Sequence, residues 1–146
     1  MLRLTKRADY GLIAIHFIAA HDEEGAVSAK RIAEEFHIPP ERLAKILQRL
    51  AKKGLIASHN GPKGGYVLAR PADRITVGQV VRALEGPIRI VSCMVDEESC
   101  PQFPRCSVRT PIQRIQASIS QALDAMTLAE LGADPAPATT RLSPAT

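Results

Sequence analysis

Leu12, Ile13, His16, Phe17 and Ala20 fall on one face of a helix, and Thr5 ahead of them can accept a backbone hydrogen bond as N-cap. A first helix is therefore predicted from Thr5 to about Ala20, with that stripe turned inward. Asp22-Glu23-Glu24-Gly25 interrupts it, and Ser28 caps a short second helix whose inner face is Ile32, Ala33 and Phe36. His37-Ile38-Pro39 reads as a turn. Pro40 suits the first turn of a third helix, where a missing N–H has no intrahelical partner, and that helix runs to about Lys53 before Gly54 stops it. Its apolar positions Leu43, Ile46, Leu47 and Leu50 lie opposite Arg42, Lys45, Arg49 and Lys52.

The period then changes. Leu55-Ile56-Ala57-Ser58 and Tyr66-Val67-Leu68-Ala69 are short apolar runs around His59-Asn60-Gly61-Pro62-Lys63-Gly64-Gly65, which predicts a hairpin. Thr76 and Gln79 have the spacing of a capping box opening a fourth helix through Leu84, which Gly86-Pro87 ends. Residues 87–109 show no sustained period and read as a loop needing something other than a hydrophobic stripe to order it. Thr110-Pro111 opens a last long helix in which Ile112, Ile115, Ile119, Ala122 and Met126 step by three and four. That seam suits a second copy of the chain, helped by packing against the first helix. The Ala-, Pro- and Thr-rich tail from Gly132 is expected to be disordered.

The expected architecture is mainly α with a small β-hairpin: a winged helix-turn-helix unit in residues 1–86, a cysteine-bearing loop in 87–109, a dimerisation helix in 110–131 and a tail in 132–146. At 146 residues this is one domain's worth of chain. No apolar run is long enough to span a bilayer, and the N-terminus lacks the apolar core of a secretory signal, so a cytoplasmic protein with no membrane partner is expected. With 19 Lys plus Arg against 15 Asp plus Glu the net charge is +4, a mild excess whose placement matters more than its size. Aromatic residues make up 3% of the chain and Trp is absent, which argues against a stacking platform for single strands.

Helix, turn, basic helix and Gly-rich hairpin in that order, with short connections, point to double-stranded DNA. The third helix would enter the major groove, and the Gly-rich hairpin tip, with Lys63, would approach the backbone closely. Cys93, Cys100 and Cys106 are separated by six and five residues, too wide for a zinc knuckle built on Cys-x-x-Cys. In a reducing compartment an odd trio of thiols suggests metal or redox chemistry rather than a disulfide framework. The residues alone leave an iron-sulfur cluster, zinc and a thiol switch open.

Leu2-Arg3-Leu4-Thr5, Asp9-Tyr10, Leu47 through Gly54-Leu55-Ile56, Gly61 through Ala69, Ile75-Thr76-Val77-Gly78 and Thr127-Leu128-Ala129-Glu130-Leu131 resemble the IscR and NsrR family of dimeric winged-helix regulators. The resemblance covers residues 1 to about 131. It implies a homodimeric DNA-binding transcription regulator, a repressor and no enzyme, on a palindromic operator. Its candidate DNA contacts are Ser28, Lys30, Glu41, Arg42, Lys45 and Arg49, with Asn60, Lys63 and Gly64 on the wing. It also implies an iron-sulfur cluster on Cys93, Cys100 and Cys106, four-iron four-sulfur ahead of two-iron two-sulfur.

This sequence departs from the family at several points. Asn60 stands where regulators of cluster assembly carry Arg, and Ala44 and Lys45 replace an acidic and amide pair. The first cysteine gap is one residue longer than usual, and Arg109 occupies the place of a His ligand. The nitric-oxide-sensing branch can use an Asp early in the first helix, donated across the dimer, and Asp9 matches it. Asp9 is therefore the expected fourth ligand, while its bland role is to complement the helix dipole. His16 is expected to be a satisfied core residue. The alternatives carried forward are the same regulator sensing by thiol oxidation or zinc and, from another class, an iron-sulfur electron carrier.

Overall fold

The computed structural model describes residues 3–90 and 100–133. Six α-helices and one hairpin are seen there: α1 (Lys6–Ala20), α2 (Ala29–Phe36), α3 (Pro40–Lys52), β1 (Ile56–His59), β2 (Gly65–Leu68), α4 (Val77–Glu85), α5 (Arg109–Ala125) and α6 (Leu128–Ala133). The expected caps are in place. Thr5 Oγ1 accepts from Ala8 N–H, Ser28 Oγ from Arg31 N–H, and Thr76 and Gln79 satisfy each other's backbone ends in a capping box.

All four expected apolar positions of α3 are buried, joined in the core by Ile15, Ile18, Ile32, Ile56, Ile75, Leu84 and Leu128. Fully burying a side chain of this size stabilises the fold by roughly 1.5–3 kcal/mol. The inner face of α1 differs from the expectation. Ala8, Gly11, Ala14, Ile15 and Ile18 are buried, while Leu12, Ile13, His16 and Phe17 are half-buried and Ala20 is exposed. The helix is apolar nearly all round because α3, α4, β2 and α6 all pack against it. Gly11 permits the closest approach, since a Cβ there would lie 2.1 Å from Leu84 Cδ1 on α4. On α2, Phe36 is exposed rather than buried, its ring edge-on to Phe17 with centroids 5.4 Å apart.

The hairpin is offset by one residue from the predicted runs, with Ile56 opposite Leu68 and His59 opposite Gly65. It also has a third participant. Val27, between α1 and α2, exchanges two backbone hydrogen bonds with Tyr66, N–H to carbonyl in each direction at 2.9 and 2.8 Å. The wing is thus sewn to the head by backbone.

The C-terminal part departs most. The expected single helix through Leu131 is two helices, broken at Met126, whose backbone is extended. Thr127 and Glu130 form a second capping box that starts α6, with Glu130 N–H on Thr127 Oγ1 at 3.2 Å and Thr127 N–H on Glu130 Oε2 at 3.1 Å. The break is held by Val77 N–H on the Met126 carbonyl and Leu128 N–H on the Ile75 carbonyl. Gly132 and Ala133, expected in the tail, belong to α6. The rest of the expected tail, 134–146, lies outside the described residues. The chief neighbour of α5 is α4 rather than the expected α1, which α6 covers instead.

Arg82 on α4 and Asp124 on α5 form a two-pronged pair at 2.6 and 2.8 Å, and Gly78 leaves room for that carboxylate. The hydrogen bonds from Arg82, reinforced by its charge, hold the Asp124 carboxyl below the usual aspartate range. A lowered folded-state pKa contributes stability that is present above the unfolded value, about 4, and lost as pH falls through the lower folded value. Asp124→Asn is accordingly expected to flatten the acid limb of a melting-temperature profile, leaving the rest of the curve parallel to wild type. An unchanged acid limb would show that the pair does not hold α5 on α4.

Candidate nucleic-acid interface and cysteine segment

His37 closes α2 in the left-handed region, φ 53°, with its N–H on the Ala33 carbonyl, and Ile38 is buried. These two residues set the angle at which Pro40 starts α3. The result is a helix-turn-helix in which Glu41, Arg42, Lys45, Arg49 and Lys52 are exposed on α3.

A groove of about 740 Å³ runs along this face, lined by Arg42, Lys45, Arg49 and Lys52 from α3 and by Lys6 and Arg7 at the start of α1. Lys6 and Arg7 were not among the expected DNA contacts. Their clustering near the capped N-terminus was a local signal, but the alignment of that terminus with α3 is tertiary. Glu85, the last residue of α4, is the one carboxylate lining the groove among the described residues. It accepts hydrogen bonds from Thr5 Oγ1 and from Arg7, the latter at 3.1 and 3.2 Å. Burial pushes the Glu85 carboxyl up, but hydrogen bonds from Arg7 and Thr5 and the charges of Arg7 and Arg49 outweigh it and leave its pKa lowered.

The remaining candidate contacts are less uniform. Arg49 Nε donates to the Ala83 carbonyl at 2.9 Å, so part of this side chain ties α3 to α4. Ser28 is half-buried as the cap of α2, and Lys30 is exposed with Glu34 4.0 Å away. Asn60 and Lys63 are exposed at the wing tip. Gly64 N–H donates to the Gly61 carbonyl at 2.9 Å within the tip.

Of the expected metal ligands, Cys100 and Cys106 are half-buried free thiols flanking a short 3-10 turn at Phe103–Arg105. Cys93 lies outside the described residues. Asp9 is exposed in the first turn of α1, beside a cavity of about 980 Å³ shared with Arg3, Leu4, Thr5 and Lys6. Among the described residues of one chain no group of three His, Cys, Asp or Glu comes together. His16 is not the satisfied core residue expected, because its buried Nε2 has no hydrogen-bond partner among the described residues. The cysteine segment begins under restraint. Gln116 on α5 accepts from Ile90 N–H at 2.8 Å and donates to the Ile88 carbonyl at 2.5 Å.

A helix-turn-helix with a cationic groove and a backbone-anchored wing defines a winged-helix DNA-binding regulator of transcription, not an enzyme. The chain belongs to the Rrf2 family, whose profile, described as iron-dependent transcriptional regulator, matches residues 4–134. It is 36% identical over 130 residues to the HTH-type transcriptional regulator IscR of Erwinia tasmaniensis, covering 89% of this chain and 78% of that one. Among solved structures it is similar to CymR, the global cysteine regulator of B. subtilis, with TM-score 0.75 and 34% identity over 91% of this chain and 98% of the other. It is also similar to T. potens IscR, with TM-score 0.69 and 30% identity over 93% of each chain.

Proposed function

We propose that the protein is a homodimeric cytoplasmic repressor that binds a palindromic operator and senses through an iron-sulfur cluster held by Cys93, Cys100 and Cys106. The observation that carries this reading is the position of the cysteine segment, which starts two residues after Glu85, the end of α4, and returns into α5. Glu85 holds Thr5 and Arg7 at the edge of the DNA groove, and Gln116 holds the start of the segment. A change in the segment is thereby passed to a groove cation and to the helix proposed to pair the two copies.

The donor set fits the group. Thiolates are soft charged ligands suited to iron, and Cys100 and Cys106 are free and partly accessible. Asp9 of the partner subunit would complete the set with a harder, more easily displaced oxygen. When bound, the cluster supplies redox chemistry and reactivity toward oxygen or nitric oxide. The proposed division of labour is DNA reading by residues 1–86, sensing by 87–109 and pairing by 110–131. Ile115 supports the pairing role, being a large apolar side chain left 49% exposed, and Val108, 58% exposed, sits at the N-cap of the same helix. Across the described residues no helix is long and apolar enough to cross a membrane.

The likeness to CymR supports a second reading, the same DNA binder sensing by thiol oxidation or zinc at these cysteines. Anaerobic purification separates the two. The proposed protein is brown, contains iron and sulfide, and loses its visible absorption in Cys100→Ala. Asp9→Ala is expected to keep the colour but bleach faster in air. Colourless protein with stoichiometric zinc, or with no metal and reversible thiol oxidation, would favour the second reading.

A further inference from the structure

Between the end of α3, the residues after β2 and the outer side of α4 lies an open cleft of about 300 Å³. Among the described residues its lining is Lys53, Leu55, Arg70, Gln79, Arg82 and Ala83, three cations and no carboxylate. Gathered like charges repel unless something offsets them. Arg82 is offset by Asp124. Lys53 and Arg70 have no ion-pair partner among the described residues. Arg70 Nε is also buried without an acceptor among them, a costly state for a charged donor.

The polar neighbours add donors rather than acceptors. Gln79 spends its side-chain oxygen on Thr76 N–H, which leaves its NH2 group to donate. The Ala83 carbonyl already accepts from Arg49 Nε. The cleft is therefore rich in donors and short of acceptors, and a compact oxyanion supplies what is missing.

We infer that the cleft formed by Lys53, Arg70 and Arg82 is an anion site that takes a phosphate group. Two sources present this chemistry, a backbone phosphate of the bound duplex and a free phosphate or small phosphate ester. Either would join three working parts: Lys53 follows the recognition helix, Arg70 follows the wing, and Arg82 grips α5 through Asp124. The site does not depend on a cluster.

The experiment uses the full-length protein and two variants, Arg70→Gln and Lys53→Met, the second at an exposed position chosen to leave folding intact. Inorganic phosphate is titrated by calorimetry at constant ionic strength, and duplex affinity is measured across a salt series. Saturable phosphate binding weakened about tenfold or more by each variant assigns the site to a free anion. Absence of free-phosphate binding, with the salt slope of duplex binding lowered by about one in each variant, assigns it to the DNA backbone. The inference is overturned if folded variants keep wild-type duplex affinity and slope while phosphate either fails to bind or binds them unchanged.

Discussion

Gly65→Ala is expected to destabilise the protein by roughly 2–5 kcal/mol and to take duplex binding with it. A Cβ at this position would stand 2.3 Å from the Val27 carbonyl oxygen, 2.4 Å from its carbon and 2.8 Å from Ser28 N. These are backbone atoms, so no rotamer change relieves the overlap. The two hydrogen bonds between Val27 and Tyr66 would have to open, and Ser28, which caps α2, would be displaced with them. The wing and the helix-turn-helix thus lose their mutual reference at one site. Gly132→Ala is the natural control, because its nearest neighbour outside the helix is His16 Nε2 at an ordinary 3.7 Å. Denaturant midpoints measure the effect, and a midpoint for Gly65→Ala equal to wild type would mean that the wing is not pinned as described.

The second large effect is expected from Arg42→Ala combined with Lys45→Ala. Both side chains are exposed on α3, line the groove and have no ion-pair partner among the described residues. Removing them is expected to weaken duplex binding roughly 10- to 100-fold at moderate salt and to lower the salt slope by about two, one for each phosphate no longer neutralised. Thermal stability should hardly change. Arg49→Ala provides the contrast: it also removes the bond to the Ala83 carbonyl, so it should lower the melting temperature as well as affinity. Equal affinity and slope for the double variant and wild type would move the DNA surface elsewhere on the molecule.

The head of the molecule was largely legible because its signals are local. Thr5, Ser28 and Thr76 cap helices where a side-chain oxygen followed by the right spacing says they should. The apolar and basic faces of α3 separate cleanly in sequence, and the Gly and Pro cluster after Ser58 admits little but a turn. What was lost depends on packing between distant segments. Apolar residues on every side of α1 gave no way to choose its inner face without knowing that α6 returns to cover part of it. A single bridging residue such as Val27 leaves no periodic trace.

The break at Met126 was legible in principle. Thr127-Leu128-Ala129-Glu130 is a capping-box sequence, but the three-and-four stepping of Ile112 to Met126 continues smoothly into it and hides the boundary. The groove residues divide the same way. Arg42 and Lys45 were readable from the charge stripe, whereas the contribution of Lys6 and Arg7 and the diversion of Arg49 require the folded chain. For the cysteines, spacing left the candidate chemistries open, and the structure adds that Cys100 and Cys106 are half-buried free thiols in a segment whose start Gln116 holds.

The Gln116 clamp bears on how such a segment can diversify. Because Ile88 and Ile90 are fastened to the same helix that receives the chain at Arg109, the stretch between them is an insert with both ends moored to α5. Replacements within the segment that keep Gln116 and the start of α5 leave both moorings in place.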